Sequence, residues 1–128
     1  MKTILLVDDD PIHNVILKRA INNACPDVDV IDFTEPIRAL EYLSTAEGSD
    51  APSIIFLDLE MPIMNGFEFA DTLGSNHTRL LSSTQVHMVS SSVIESDIQK
   101  AKDHPHIQGF ISKPVGRNML EEIIGCGS

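Results

Sequence analysis

The chain has 128 residues, with 19 acidic side chains against 9 Lys and Arg and a formal net charge of -10 at pH 7. That balance excludes a general nucleic-acid binder, because phosphate contacts need surplus cationic side chains. No apolar run is long enough to span a bilayer and no signal-peptide pattern opens the chain, so the expectation is one cytoplasmic domain over residues 1–128 with no membrane partner.

Ile4 to Val7 is a continuous apolar run ending in Asp8-Asp9-Asp10, the pattern of a strand buried on both faces with acid at its carboxyl end. Pro11 suits the first turn of a helix, with Ile12, Ile16, Ala20, Leu17, Ile21 and Ala24 as its predicted inward stripe and Cys25-Pro26-Asp27 as its stop. Val28, Val30, Ile31 and Phe33 predict a second strand, and Thr34 can cap a second helix that has Pro36 near its start and faces Ile37, Leu40 and Leu43 inward. A turn-rich stretch from Glu47 to Pro52 leads to the third strand, Ile54 to Leu57, which ends at Asp58. A loop through Met61-Pro62 and Asn65-Gly66 precedes a helix carrying Phe67, Phe69, Ala70 and Leu73, and Gly74 to Gln85 reads as helix end plus loop. Val86, Met88 and Val89 predict a fourth strand ending in Ser90-Ser91-Ser92, followed by a polar helix around Glu95 to Lys102 thinly anchored by Ile94, Ile98 and Ala101. Gly109 to Ser112 is a fifth strand ending at Lys113-Pro114, and Met119, Leu120, Ile123 and Ile124 mark the last helix. Alternation of strand and helix predicts an α/β, doubly wound, five-stranded parallel sheet with five helices. Cys25 and Cys126 lie too far apart in sequence for a disulfide framework or a close-spaced zinc site and are expected to be reduced thiols without function.

In an open parallel sheet, ligands bind outside the carboxyl ends of the strands. Those ends carry Asp8-Asp9, Asp58, Ser90 and Lys113. Three converging carboxylates repel unless a cation neutralises them, and an all-oxygen set suits Mg²⁺ or Mn²⁺ better than zinc. Adding Lys113 and Ser90 supplies the positive charge and the hydroxyl donor that a phosphoryl group requires, and Asp58 is the carboxylate nucleophile such a site needs. The histidines, His104 and His106 beside Pro105, His87 in the fourth strand, and His13 and His77 apart, are read as solvated or packed.

Leu6-Val7-Asp8-Asp9-Asp10-Pro11, Phe56-Leu57-Asp58-Leu59-Glu60-Met61-Pro62-Ile63-Met64-Asn65-Gly66, Val89-Ser90-Ser91 and Phe110-Ile111-Ser112-Lys113-Pro114 stand in an order and spacing covering nearly the whole chain. On these pieces the sequence resembles the receiver domain of two-component response regulators, similar to the single-domain receivers of the chemotaxis type. The resemblance implies a flavodoxin-like strand order 2-1-3-4-5 and phosphorylation of Asp58 by a phosphohistidine on a sensor histidine kinase or a histidine phosphotransfer protein. It implies Mg²⁺ held by Asp9, Asp58 and the backbone carbonyl of Glu60, with Asp8 acting mainly through water. Ser90 and Lys113 would contact the phosphoryl group, Phe110 would be the aromatic switch partner of Ser90, and the peptide before Pro114 would be cis. Ser90 stands where Thr is more frequent, which keeps the hydroxyl, and Phe110 where Tyr is frequent, which removes a phenolic hydrogen bond. Glu60 and Ser92 match positions that tune phosphoryl lifetime. The resemblance further implies a stand-alone regulator without an output domain, not an enzyme in its own right, that reaches a downstream protein through its fourth helix, fifth strand and fifth helix. Two other readings remain open: a receiver-like module that binds partners without phosphorylation, and a phosphatase of the haloacid dehalogenase type, whose early Asp-x-Asp run Asp8-Asp9-Asp10 also satisfies.

Overall fold

A computed structural model describes residues 2–46, 51–91 and 94–126. Its elements are β1 (Thr3–Val7), α1 (Pro11–Ala24), β2 (Asp29–Phe33), α2 (Pro36–Thr45), β3 (Ile54–Asp58), α3 (Gly66–Asn76), α4 (Thr78–Leu81), β4 (Gln85–Ser90), α5 (Glu95–Asp103), β5 (Gly109–Ser112) and α6 (Arg117–Ile124). The five strands form one parallel sheet in the order β2-β1-β3-β4-β5. Among the described residues there are six helices rather than the five expected, because Gly74 to Gln85, expected as helix end plus loop, contains the single turn α4. No described helix is long and apolar enough to cross a membrane.

Strand periodicity splits the core in two. Leu5, Val7, Ile55, Leu57 and Met88 meet Leu43, Phe69, Leu73 and Ala101 on one face, and Ile4, Leu6, Phe56, Val89 and Ile111 meet Ile21, Ala24, Leu120 and Ile124 on the other. Central β3 is buried along its whole length, whereas edge strand β2 is half-exposed.

The predicted inward stripe of α1 is corrected at its start. Ile12 and Ile16 are 67% and 56% exposed, and the buried positions are Asn14, Ile21 and Ala24. Ile37, Ile94 and Met119 are likewise exposed, and α2 starts from Glu35 without a side-chain cap, so Thr34 does not fill that role. In α3 all four predicted apolar residues, Phe67, Phe69, Ala70 and Leu73, are buried. The cysteines are also corrected: Cys25 and Cys126 are joined as a disulfide, with Cα atoms 5.7 Å apart. Sequence separation concealed what the packing of α6 on α1 brings together.

Candidate functional site

The carboxyl edge of the sheet gathers the chemistry. Asp8 directly follows β1, Asp58 is the last residue of β3, Ser90 is the last of β4 and Lys113 directly follows β5. The strand register places Asp58 beside Val89 and Ser90 beside Ser112. Backbone bonds from Leu59 N–H to the Val89 carbonyl (3.1 Å) and from Lys113 N–H to the Ser90 carbonyl (2.9 Å) carry the ladder past the strand ends. The Lys113–Pro114 peptide is cis.

Local sequence fixes the neighbouring segments. Asp10 caps α1 by accepting from the Ile12 N–H at 2.9 Å, and the Asp10 N–H in turn donates to the Asp8 carboxylate at 2.9 Å. Asn65 and Glu68 form a reciprocal capping box at the start of α3, at 2.9 and 3.0 Å. Gly66 is required there, because a Cβ would lie 2.8 Å from the Asp58 carbonyl oxygen.

Lys113 is the hub. Its Nζ lies 2.9 Å from Asp8 Oδ2, 3.1 Å from Asp58 Oδ1 and 3.0 Å from His13 Nδ1. Asp8, Asp58 and Ser90 are buried, Asp9 is exposed, and one oxygen each from Asp8, Asp9 and Asp58 lies within 4.8 Å of the others. Burial, then the charge of Asp8, and more weakly that of Asp9, push the Asp58 carboxyl up to about 6 against the pull of Lys113. Burial alone lowers Lys113, but its hydrogen bond to Asp8 and its interactions with Asp58 outweigh it and hold the ammonium above its ordinary value. The cluster therefore carries more negative charge than its one lysine relieves, and its hard oxygen donors fit a divalent cation such as Mg²⁺.

The other predicted positions scatter around this centre. Phe110 is half-buried on β5 against the core shared with α5, and Glu60 is exposed in the β3–α3 loop. Ser92 lies outside the described residues. Two neighbours of the site were not anticipated. His13, expected to be solvated or packed like the other histidines, contacts Lys113 and lies 3.6 Å from both Asp8 and Asp10. Asn14, 1% exposed, donates to the carbonyls of Asp8 (3.1 Å) and Phe33 (3.3 Å), fastening α1 to the ends of β1 and β2. The only available sequence signal for either was proximity to the acidic triplet.

Residues 4–125 match the response regulator receiver domain family. A two-component response regulator from Cytophaga hutchinsonii has a TM-score of 0.90 at 28% identity, covering 98% of this chain and 95% of that one. A response regulator receiver protein from Dyadobacter fermentans reaches 0.83 at 28% identity, covering 97% and 98%. Hybrid signal transduction histidine kinase L of Dictyostelium discoideum is 30% identical over 122 residues, which is 94% of this chain and 7% of that protein. The cyclic di-GMP phosphodiesterase response regulator RpfG of Xanthomonas campestris is 27% identical over 113 residues, 88% of this chain and 28% of that protein. The chain thus spans less than a third of either curated relative. With a sheet of this order, an acidic cluster and lysine at its carboxyl edge, and a match over almost its full length, the chain belongs to the response regulator receiver domain family.

Proposed function

We propose that the chain is a phosphoacceptor of a two-component relay, with Asp58 taking a phosphoryl group from a phosphohistidine on a sensor histidine kinase or a histidine phosphotransfer protein. The observation that carries the reading is the buried Asp58 carboxylate at the tip of the central strand, held by Lys113 at 3.1 Å and flanked by Asp8 and Asp9. In the transfer an Asp58 oxygen bonds to phosphorus, the phosphorus–nitrogen bond breaks, and the imidazole of the donor leaves. Lys113 pairs with the phosphoryl oxygens and Ser90 donates its hydroxyl to one of them. Asp8, Asp9, Asp58 and the Glu60 carbonyl are the proposed Mg²⁺ ligands, Asp8 mainly through water, and bound Mg²⁺ supplies charge neutralisation to the phosphoryl oxygens.

Signalling follows as a population shift. Ser90 moves toward the phosphoryl group, Phe110 takes the space it leaves, and the face formed by α5, β5 and α6 changes its affinity for a protein partner. The loosely held α5, whose only buried residue is Ala101, suits a bistable element.

The test is intact-mass analysis after incubation with acetyl phosphate, with and without Mg²⁺, on the wild type and on Asp58→Asn. The expected result is a Mg²⁺-dependent gain of one phosphoryl group, labile to alkali and absent in Asp58→Asn. Steady hydrolysis of a phosphate ester would instead identify a phosphatase, and complete inertness, toward a phosphohistidine donor as well, a binding module. Glu60→Ala and Ser92→Ala are each expected to change the rate at which the phosphoryl group is lost without moving the site of attachment, measured by the decay of the phosphorylated mass. An unchanged decay in both would remove these residues from lifetime control.

A further inference from the structure

Cys25 and Cys126 are 101 positions apart in sequence, yet two helix ends converge on one point with Cα atoms 5.7 Å apart, within the roughly 4.4–6.8 Å that a disulfide bridges. Cys25 is the C-cap of α1, its N–H bonded to the Ile21 carbonyl at 2.7 Å. At the other end Gly125 closes α6 in the left-handed conformation, φ 79°, and the N–H groups of Gly125 and Cys126 both reach the Glu121 carbonyl, at 2.9 and 3.2 Å. That turn directs residue 126 back toward α1. Cys25 is 2% exposed in the core formed with Ile21, Ala24, Leu120 and Ile124, whereas Cys126 is half-buried. A cleft of about 320 Å³, lined in part by Pro26, Asp27, Arg117 and Glu121, opens beside the pair. The pair lies at the amino-terminal edge of the sheet, opposite Asp58, and the phosphotransfer chemistry makes no use of it.

We propose that Cys25 and Cys126 are a reversible redox staple, oxidised by a peroxide and reopened by thiols, that fastens the end of α6 to α1. The accessible thiolate of Cys126 attacks hydrogen peroxide, breaking its oxygen–oxygen bond, taking one oxygen as a sulfenic acid and releasing hydroxide. The Cys25 sulfur then displaces the second oxygen as water and the sulfur–sulfur bond forms. Two thiols have lost two electrons and two protons, and one peroxide has become two waters. A dithiol reverses the step by exchange, becoming the disulfide itself. The bond closes a ring containing all the residues from 25 to 126 and so restricts the unfolded chain, and it holds α6 in its packed position.

The full chain is reduced with dithiothreitol, desalted, treated with hydrogen peroxide, and compared with Cys126→Ser and Cys126→Ala by intact mass, thermal melting and hydrogen exchange. The expected result is loss of two hydrogens within the monomer, a rise in Tm of roughly 10 °C, and slower exchange over 117–126, all reversed by dithiothreitol and absent in both variants. In the reduced state the variants melt within a few degrees of the wild type, which separates a missing staple from a damaged fold. Disulfide-linked dimers, two thiols that remain open to alkylation after peroxide, an unmoved Tm and exchange in the oxidised monomer, or a bond that dithiothreitol cannot open in the folded protein would each overturn the proposal.

Discussion

The Lys113 ammonium has three protons and three partners, and only one of the partners carries no formal negative charge. For His13 Nδ1 to accept from Lys113 at 3.0 Å, its lone pair must face the ammonium and the ring proton must sit on Nε2. His13 is half exposed, so water replaces much of what it gives to stability. Its effect belongs instead to the position of the charge: losing this acceptor leaves the ammonium to Asp8 and Asp58, and under the proposed function a phosphoryl group would have to draw it from a tighter pair. His13→Leu is expected to slow phosphorylation by acetyl phosphate about three- to tenfold, equivalent to roughly 1 kcal/mol, with little change in the urea midpoint. His13→Gln, which keeps an acceptor, is expected to retain most of the rate. A His13→Leu protein as fast as the wild type would show the contact to be passive. The candidate site residues Asp8, Asp58, Ser90 and Lys113 were legible because each stands at or directly after a strand end, whereas His13 carries no periodic signal and acquires its meaning only from Lys113, 100 positions later.

Among the elements, α3 buries the face its sequence predicts, whereas the start of α1 answers to another demand. In α3 the residues Phe67, Phe69, Ala70 and Leu73 have no competing face, and all four are buried. In α1 two apolar stripes overlap. The sheet takes the one containing Ile21 and Ala24, because the buried Asn14 must reach the Asp8 and Phe33 carbonyls, and that rotation turns Ile12 and Ile16 outward. Helix α4 spans Thr78–Leu81, too short for any helical period to register. The contrast in anchoring between α3 and α5 should be visible in native hydrogen exchange, with amides of α5 opening faster than those of α3. The junction of α3 with β3 has little slack. In Gly66→Ala the new Cβ meets the Asp58 carbonyl oxygen and Met88 Cε, both at 2.8 Å, and the Leu59 Cα at 3.1 Å. The Met88 methyl group can move but the backbone atoms cannot do so freely, so a loss of about 1–3 kcal/mol is expected by urea denaturation.

Across the whole molecule, the sheet concentrates acid at one edge of a chain whose net charge is already -10. Asp58 shows the consequence for stability, because its carboxyl titrates at about 6 in the fold against an ordinary 3.8. The folded protein therefore holds this proton more tightly than the unfolded chain does. The stability linked to it is fully present below pH 3.8 and is lost as the pH rises through about 6, an effect on the order of 2–3 kcal/mol at full ionisation. Without metal, the wild type should lose urea stability between about pH 4 and pH 7, while Asp58→Asn, neutral throughout, should show a flatter profile and exceed the wild type at the upper end. General repulsion from the remaining charge affects both proteins, so the difference between the two profiles isolates the site. Saturating Mg²⁺ should stabilise the wild type most where Asp58 is ionised and should do far less for Asp9→Asn, because binding to the folded state alone raises its stability. Parallel pH profiles for wild type and Asp58→Asn would move the source of the dependence away from the carboxyl edge of the sheet.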